Sequence, residues 1–115
     1  PGIVGLGKAL EIGMAEMEEN VARMSAIRNR LIGSTLDTIP RSYLNGPRGE
    51  KRLCNNAHFR FDYIEGEGMI LHLDMRGIAA STGSACSTKS LEPSHVLRGL
   101  GLRHEQCHGS LRLSL

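Results

Sequence analysis

A chain of 115 residues, 40% hydrophobic and 23% charged, suits one domain of ordinary globular composition and is too short for two. Its formal net charge of +2 is too small to imply nucleic acid or an acidic membrane as a partner. No apolar run approaches the roughly 18 residues of a membrane span.

Aromatic residues make up 3% and Trp is absent, so the core must be built mainly from Leu, Ile, Val, Met and Ala. The three cysteines, Cys54, Cys86 and Cys107, are an odd number without C-x-x-C spacing. That excludes a simple disulfide framework and favours a reducing, cytoplasmic setting. No signal-peptide pattern opens the chain.

In chain order, the first third predicts a helix. Ile3, Leu6, Leu10, Met14, Met17, Val21, Met24, Ile27 and Leu31 recur in steps of three and four, forming one apolar stripe expected to pack on a sheet. Glu18, Glu19, Arg23, Arg28 and Arg30 lie off the stripe. A bend is expected near Gly13 or Asn20, and an end between Gly33 and Pro40. "YLNGPRGE" (43–50) is turn-rich and connects two strands. "AHFRFDY" (57–63) alternates, placing Phe59, Phe61 and Tyr63 on one face and His58, Arg60 and Asp62 on the other.

"EGEGMILHLDMRG" (65–77) predicts a helix with Glu65 and Glu67 at its start and Arg76 in its last turn. Gly77 supplies the left-handed cap. "IAAS" (78–81) reads as a short strand. Pro93 fits the first turn of a short helix that Gly99 or Gly101 would stop. Strict alternation in "GSLRLSL" (109–115) predicts a last strand with Leu111, Leu113 and Leu115 toward the core and Arg112 away from it. Unequal helices between strands, without a repeated βαβ unit, imply an α+β fold with a small, mostly antiparallel sheet. Both ends look cut, as in a fragment of a larger protein.

The segment "STGSACSTKSLEPSH" (81–95) holds one thiol, Cys86, among small polar residues. The plainest reading is a cysteine tolerated in a surface loop. A nucleophile is the second reading: Lys89 and the N–H groups of the following helix would favour the thiolate, and the small neighbours leave the sulfur accessible. A phosphate cradle is disfavoured. "GSACSTKS" has Thr88 where the P-loop pattern needs glycine, and Pro93 interrupts the helix that should follow. For a metal site, Cys107–His108, His95, His104 and Cys86 are close in sequence. None has ligand spacing, and adjacent residues on a strand would face apart.

"VGLGKALEIG", "IRNRLIG", "LNG", "EGEGMILHLDMRGIAASTGSACSTKSLEPSHVLRGLGL" and "HGSLRLSL" together resemble the C-terminal part of the NifS/IscS-type cysteine desulfurases, fold-type I pyridoxal-phosphate enzymes. The resemblance covers essentially the whole chain. It implies that residues 1–115 are the small C-terminal domain, with the cofactor-binding large domain absent.

By resemblance, Cys86 is the nucleophile that takes sulfur from L-cysteine as a persulfide, leaving L-alanine. Arg112 holds the substrate carboxylate. The Schiff-base lysine and the other cofactor-binding residues fall outside the chain, so Lys89, Lys8 and Lys51 are not assigned to the cofactor. The implied partners are a second copy, giving a homodimer, and an iron–sulfur scaffold or another sulfur acceptor. Cys54 and Cys107 stand where the family commonly has proline and a small apolar residue, and are read as passive. The alternative function is a non-catalytic domain that relays sulfur or docks the scaffold.

Overall fold

The computed structural model describes residues 1–82 and 93–115. Helix α1 (Gly2–Thr38) is followed by strand β1 (Ser42–Leu44), a 3-10 turn (Gly49–Lys51) and strand β2 (Asn56–Phe61). Then come helices α2 (Gly66–Asp74), α3 (His95–Gly99) and α4 (His104–His108), and strand β3 (Ser110–Ser114). The three strands form one antiparallel sheet in the order β1-β2-β3. This is the α+β architecture that the patterning predicts.

α1 runs as one helix of 37 residues, through both Gly13 and Asn20. Only its C-terminal part reaches the sheet. Ile32 is buried against Ala57 and Phe59, with Leu31, Leu36, Leu44, Phe61 and Leu113 packed around them. The earlier stripe residues, Ile3, Leu6, Leu10, Met14 and Met17 among them, are exposed. The expectation of a stripe packed along its whole length is thus corrected, because the small sheet meets only the helix's last turns.

Arg28 also departs from its predicted place on the polar side: it is 4% exposed. Its guanidinium donates from Nη1 to the carbonyls of Arg52 and Leu53 at 3.1 and 2.9 Å, tying α1 to the segment that enters β2. Burial of a charge is tolerable when its donors are satisfied in this way.

β2 alternates as predicted through Phe61, with Ala57 and Phe59 buried. Tyr63 does not join the core face. It lies beyond the strand at φ 63°, 91% exposed, with the Arg41 guanidinium 5.1 Å from its ring centre. The pleat has ended by then, so the alternation no longer sets its direction. Gly77 follows α2 at φ 73° and donates to the Asp74 carbonyl, as its cap position requires.

"IAAS" contributes a single bridge, Ser81 to Arg112, instead of a strand. Pro93 precedes the N-cap Ser94 of α3, and Gly101 turns the chain at φ 83° beyond it. The five residues before Gly109 form α4, so Cys107 and His108 are helical neighbours and not a strand pair. α3 and α4 pack together, and Leu97 and Cys107 are buried. No described helix is long and apolar enough to cross a membrane.

Candidate functional site

Arg112 is the fixed point of the site. β3 can start beside β2 only because residue 109 is glycine: a Cβ there would lie 2.1 Å from the Phe61 carbonyl oxygen. The Phe61 N–H donates to the Gly109 carbonyl at 2.9 Å, which sets the register that follows. In that register Phe59 faces Leu111 and His58 faces Arg112. Leu113 packs on the core, so Arg112 stands on the opposite face, as the alternation predicts.

The β1–β2 pairing carries one step past β1, where the Asn45 N–H donates to the His58 carbonyl at 2.8 Å. Asn45, His58 and Arg112 therefore form one row across the polar face. Directly paired residues of such a row stand about 4.5–5.5 Å apart.

This row lines a cleft of about 380 Å³, closed on one side by Ser94 and Val96 at α3 and on the other by the β1–β2 connection. Arg52 shapes that connection. Its guanidinium donates to the Pro47 carbonyl at 2.6 Å, to Asn56 Oδ1 at 3.0 Å and to the Asn45 carbonyl. Arg112, Arg52 and Lys51 all line the cleft, and no described carboxylate does. An anion is the ligand chemistry this potential favours.

His58 feels the same field. Burial, and then the charges of Arg112 and Arg52, lower its pKa to about 4, so the imidazole is neutral at pH 7. Its Nε2 is buried with no hydrogen-bond partner among the described residues, as are both amide atoms of Asn45. Arg52 is lowered too, by burial first and Arg28 second.

Of the two predicted site residues, Arg112 is thus placed in the cleft. Cys86 falls, with Lys89, in the segment 83–92, outside the described residues. The chain before that segment is fixed at Arg112, and the chain after it reaches the same cleft. Ser81 exchanges both backbone hydrogen bonds with Arg112, and Ser94 lines the cleft. Ser110 Oγ further donates to the Thr82 carbonyl at 3.2 Å. At the N-terminus of α2, Gly66 sits so close to this strand that a Cβ would come within 2.7 Å of the Ser110 carbonyl.

Cys107 is elsewhere: buried in α4, its Sγ 3.3 Å from the Arg103 carbonyl, its thiol pushed up by desolvation and only partly offset by Arg98. Among the described residues no group of three or more His, Cys, Asp or Glu side chains is placed to hold a metal. His104 and His108 instead meet each other, Nδ1 to Nε2, at 3.2 Å on α4. Sequence reasoning missed Asn45, His58 and Arg52 as parts of the site. "LNG" was legible only as a turn, and His58 only as the polar face of a strand.

The Aminotransferase class-V family profile matches residues 1–115. The chain belongs to the class-V aminotransferase family. It is 56% identical over 115 residues to cysteine desulfurase IscS 1 of Archaeoglobus fulgidus, covering all of this chain and 30% of that protein. It is equally identical to the IscS cysteine desulfurase of Methanosarcina thermophila, covering all of this chain and 28% of the relative. The chain thus spans less than a third of the length of these curated relatives.

Among solved structures, a NifS-like protein superposes with a TM-score of 0.81 at 27% identity, over all of this chain and 28% of the other. DndA from Streptomyces lividans gives 0.63 at 26% identity, over 97% and 30% of the respective chains.

Enzymes of this family depend on pyridoxal phosphate, a cofactor held through a lysine amine with a protein group tuning the ring nitrogen. The cleft does not fit that demand. Its one lysine, Lys51, is exposed on the 3-10 turn, and no acid faces it among the described residues. What the cleft's charge suits is an anion.

Proposed function

We propose that residues 1–115 are the C-terminal small domain of a cysteine desulfurase, working in the cytoplasm as a homodimer. Arg112 holds the carboxylate of L-cysteine and Cys86 accepts its sulfur. The observation that carries this reading is that the chain on both sides of segment 83–92 lies at this site: Ser81 is bridged to Arg112, and Ser94 lines the same cleft. Cys86 is five residues from Ser81, and five extended residues span at most about 17 Å. The thiol is therefore tethered within reach of whatever Arg112 holds.

A guanidinium grips a carboxylate through two parallel hydrogen bonds, fixing the orientation as well as the position of an amino acid. The Cys86 thiolate then attacks the substrate sulfur. The new S–S bond forms as the substrate C–S bond breaks. The carbon keeps that electron pair and takes a proton, ending as L-alanine, and Cys86 is left as a persulfide.

Pyridoxal phosphate, bound by the rest of the parent chain, supplies the electron sink for the C–S cleavage. The persulfide passes its sulfur to an iron–sulfur scaffold or another acceptor protein. Identity to proteins named cysteine desulfurase supports the reaction class.

The test is Cys86→Ser in the full-length parent protein. The cofactor absorbance should be retained while sulfide release from L-cysteine falls by about 100-fold or more, as expected for loss of a nucleophile. Sustained turnover in that variant would overturn the reading.

A further inference from the structure

The cleft contains more unpaired polar chemistry than a single arginine explains. Among the described residues, His58 Nε2 and both Asn45 amide atoms are buried with no hydrogen-bond partner, on the row that ends at Arg112. A buried polar atom without a partner costs about 1–3 kcal/mol, and native folds rarely leave several side by side. Asn45 is itself only 4% exposed.

We propose that His58 is a ligand-contacting specificity residue, donating from Nε2 to the carboxylate of an amino-acid ligand that Arg112 grips; this rests on the reading of Arg112 as carboxylate anchor.

Geometry supports the shared carboxylate. His58 and Arg112 are directly paired across β2 and β3 on one face, so one carboxylate can lie against both. Its two oxygens offer about four acceptor positions. A bidentate guanidinium uses two, leaving room for an imidazole N–H. Asn45 stands one strand further from Arg112 and extends the same polar row.

Among the described residues, the groups on the side of His58 are Arg112 on β3, Arg52 and Lys51 ahead of β2, Asn45 beyond β1, and Asn56 and Arg60 on its own strand. These charges are all positive, and after burial itself those of Arg112 and Arg52 help keep the imidazole neutral. An arriving carboxylate selects the Nε2–H tautomer and offsets the cations. Ligand binding therefore raises the proton affinity of His58.

The experiment uses the full-length parent protein with L-alanine as the probe, since it carries the carboxylate and no sulfur. Nitrogen-detected titration of the wild-type imidazole should show the His58 pKa rising by about one unit or more at saturating L-alanine. His58→Leu should weaken L-alanine binding about tenfold, the worth of one charge-assisted hydrogen bond. His58→Gln, which keeps an N–H donor, should hold affinity within about threefold.

An unmoved His58 resonance at saturation overturns the proposal, as does full affinity in His58→Leu. Failure of Gln to do better than Leu also overturns it, by reducing His58 to packing. If Arg112→Ala abolishes binding while His58→Leu does not, only His58 is misassigned. If Arg112→Ala binds normally, the anchor reading fails and takes this inference with it.

Discussion

The two faces of the three-stranded sheet are built from alternate residues of the same strands, yet they do opposite work. One face presents Leu44, Ala57, Phe59, Phe61 and Leu113 to Ile32 and its neighbours on α1. The other presents Asn45, His58 and Arg112 to a cleft with no described carboxylate. The first face is satisfied within the chain; the second keeps buried polar atoms that have no partner among the described residues. Stability is thus concentrated on one side of the pleat and recognition on the other, with a shared register holding both.

The largest effect that would test this division is Phe59→Ala. Phe59 is 1% exposed and heads the fully buried side chains. Its truncation should cost about 3–5 kcal/mol, read as a lower urea midpoint. Arg112→Ala, one strand over on the polar face, should leave that midpoint nearly unchanged. Equal losses from the two variants would show that the cleft face is part of the folding core.

A smaller effect separates the faces by pH. His58 has its pKa lowered to about 4 in the fold, below its ordinary 6.5. Between these values the unfolded chain binds a proton that the folded chain refuses. The contribution of the neutral ring is therefore complete above pH 6.5, falls as the pH drops toward 4, and levels off below it. Because the ring is partly solvent-screened, the loss should be about 1–2 kcal/mol. Urea unfolding at a series of pH values should show this slope in wild type and its reduction in His58→Gln.

Much of the core face was legible because alternation reports it directly: "GSLRLSL" and "AHFRF" each assign their own inward residues. Tyr63 marks where that logic stops, since periodicity cannot show that a strand has ended two residues earlier. α4 was invisible for a related reason: five residues make little more than one turn, too few for a helical period to register.

The cleft row was illegible for a different reason. Asn45, His58 and Arg112 come from three segments, and only the pairing register, fixed by Gly109 at the start of β3, brings them into line. Arg28 shows the same limit. Its charge suggested solvent, and the carbonyls of Arg52 and Leu53, distant in sequence, together with the neighbouring Asn29 Oδ1, explain its burial.

The finest test concerns the two parts of α1, where the last turns are packed and the first turns carry an uncovered stripe. Gly13 lies within that stripe by helical spacing, among Leu10, Met14 and Met17, and a Cβ there meets nothing within 4 Å. In the 115-residue chain Gly13→Ala should therefore stabilise the helix by about 0.5–1 kcal/mol, seen as greater helical dichroism and a higher melting temperature. The same substitution in the full-length parent discriminates further. A gain there means the stripe near Gly13 stays open to solvent. A loss means another surface approaches the bare backbone closely enough that one methyl group is excluded, and the apolar stripe is then an interface cut open.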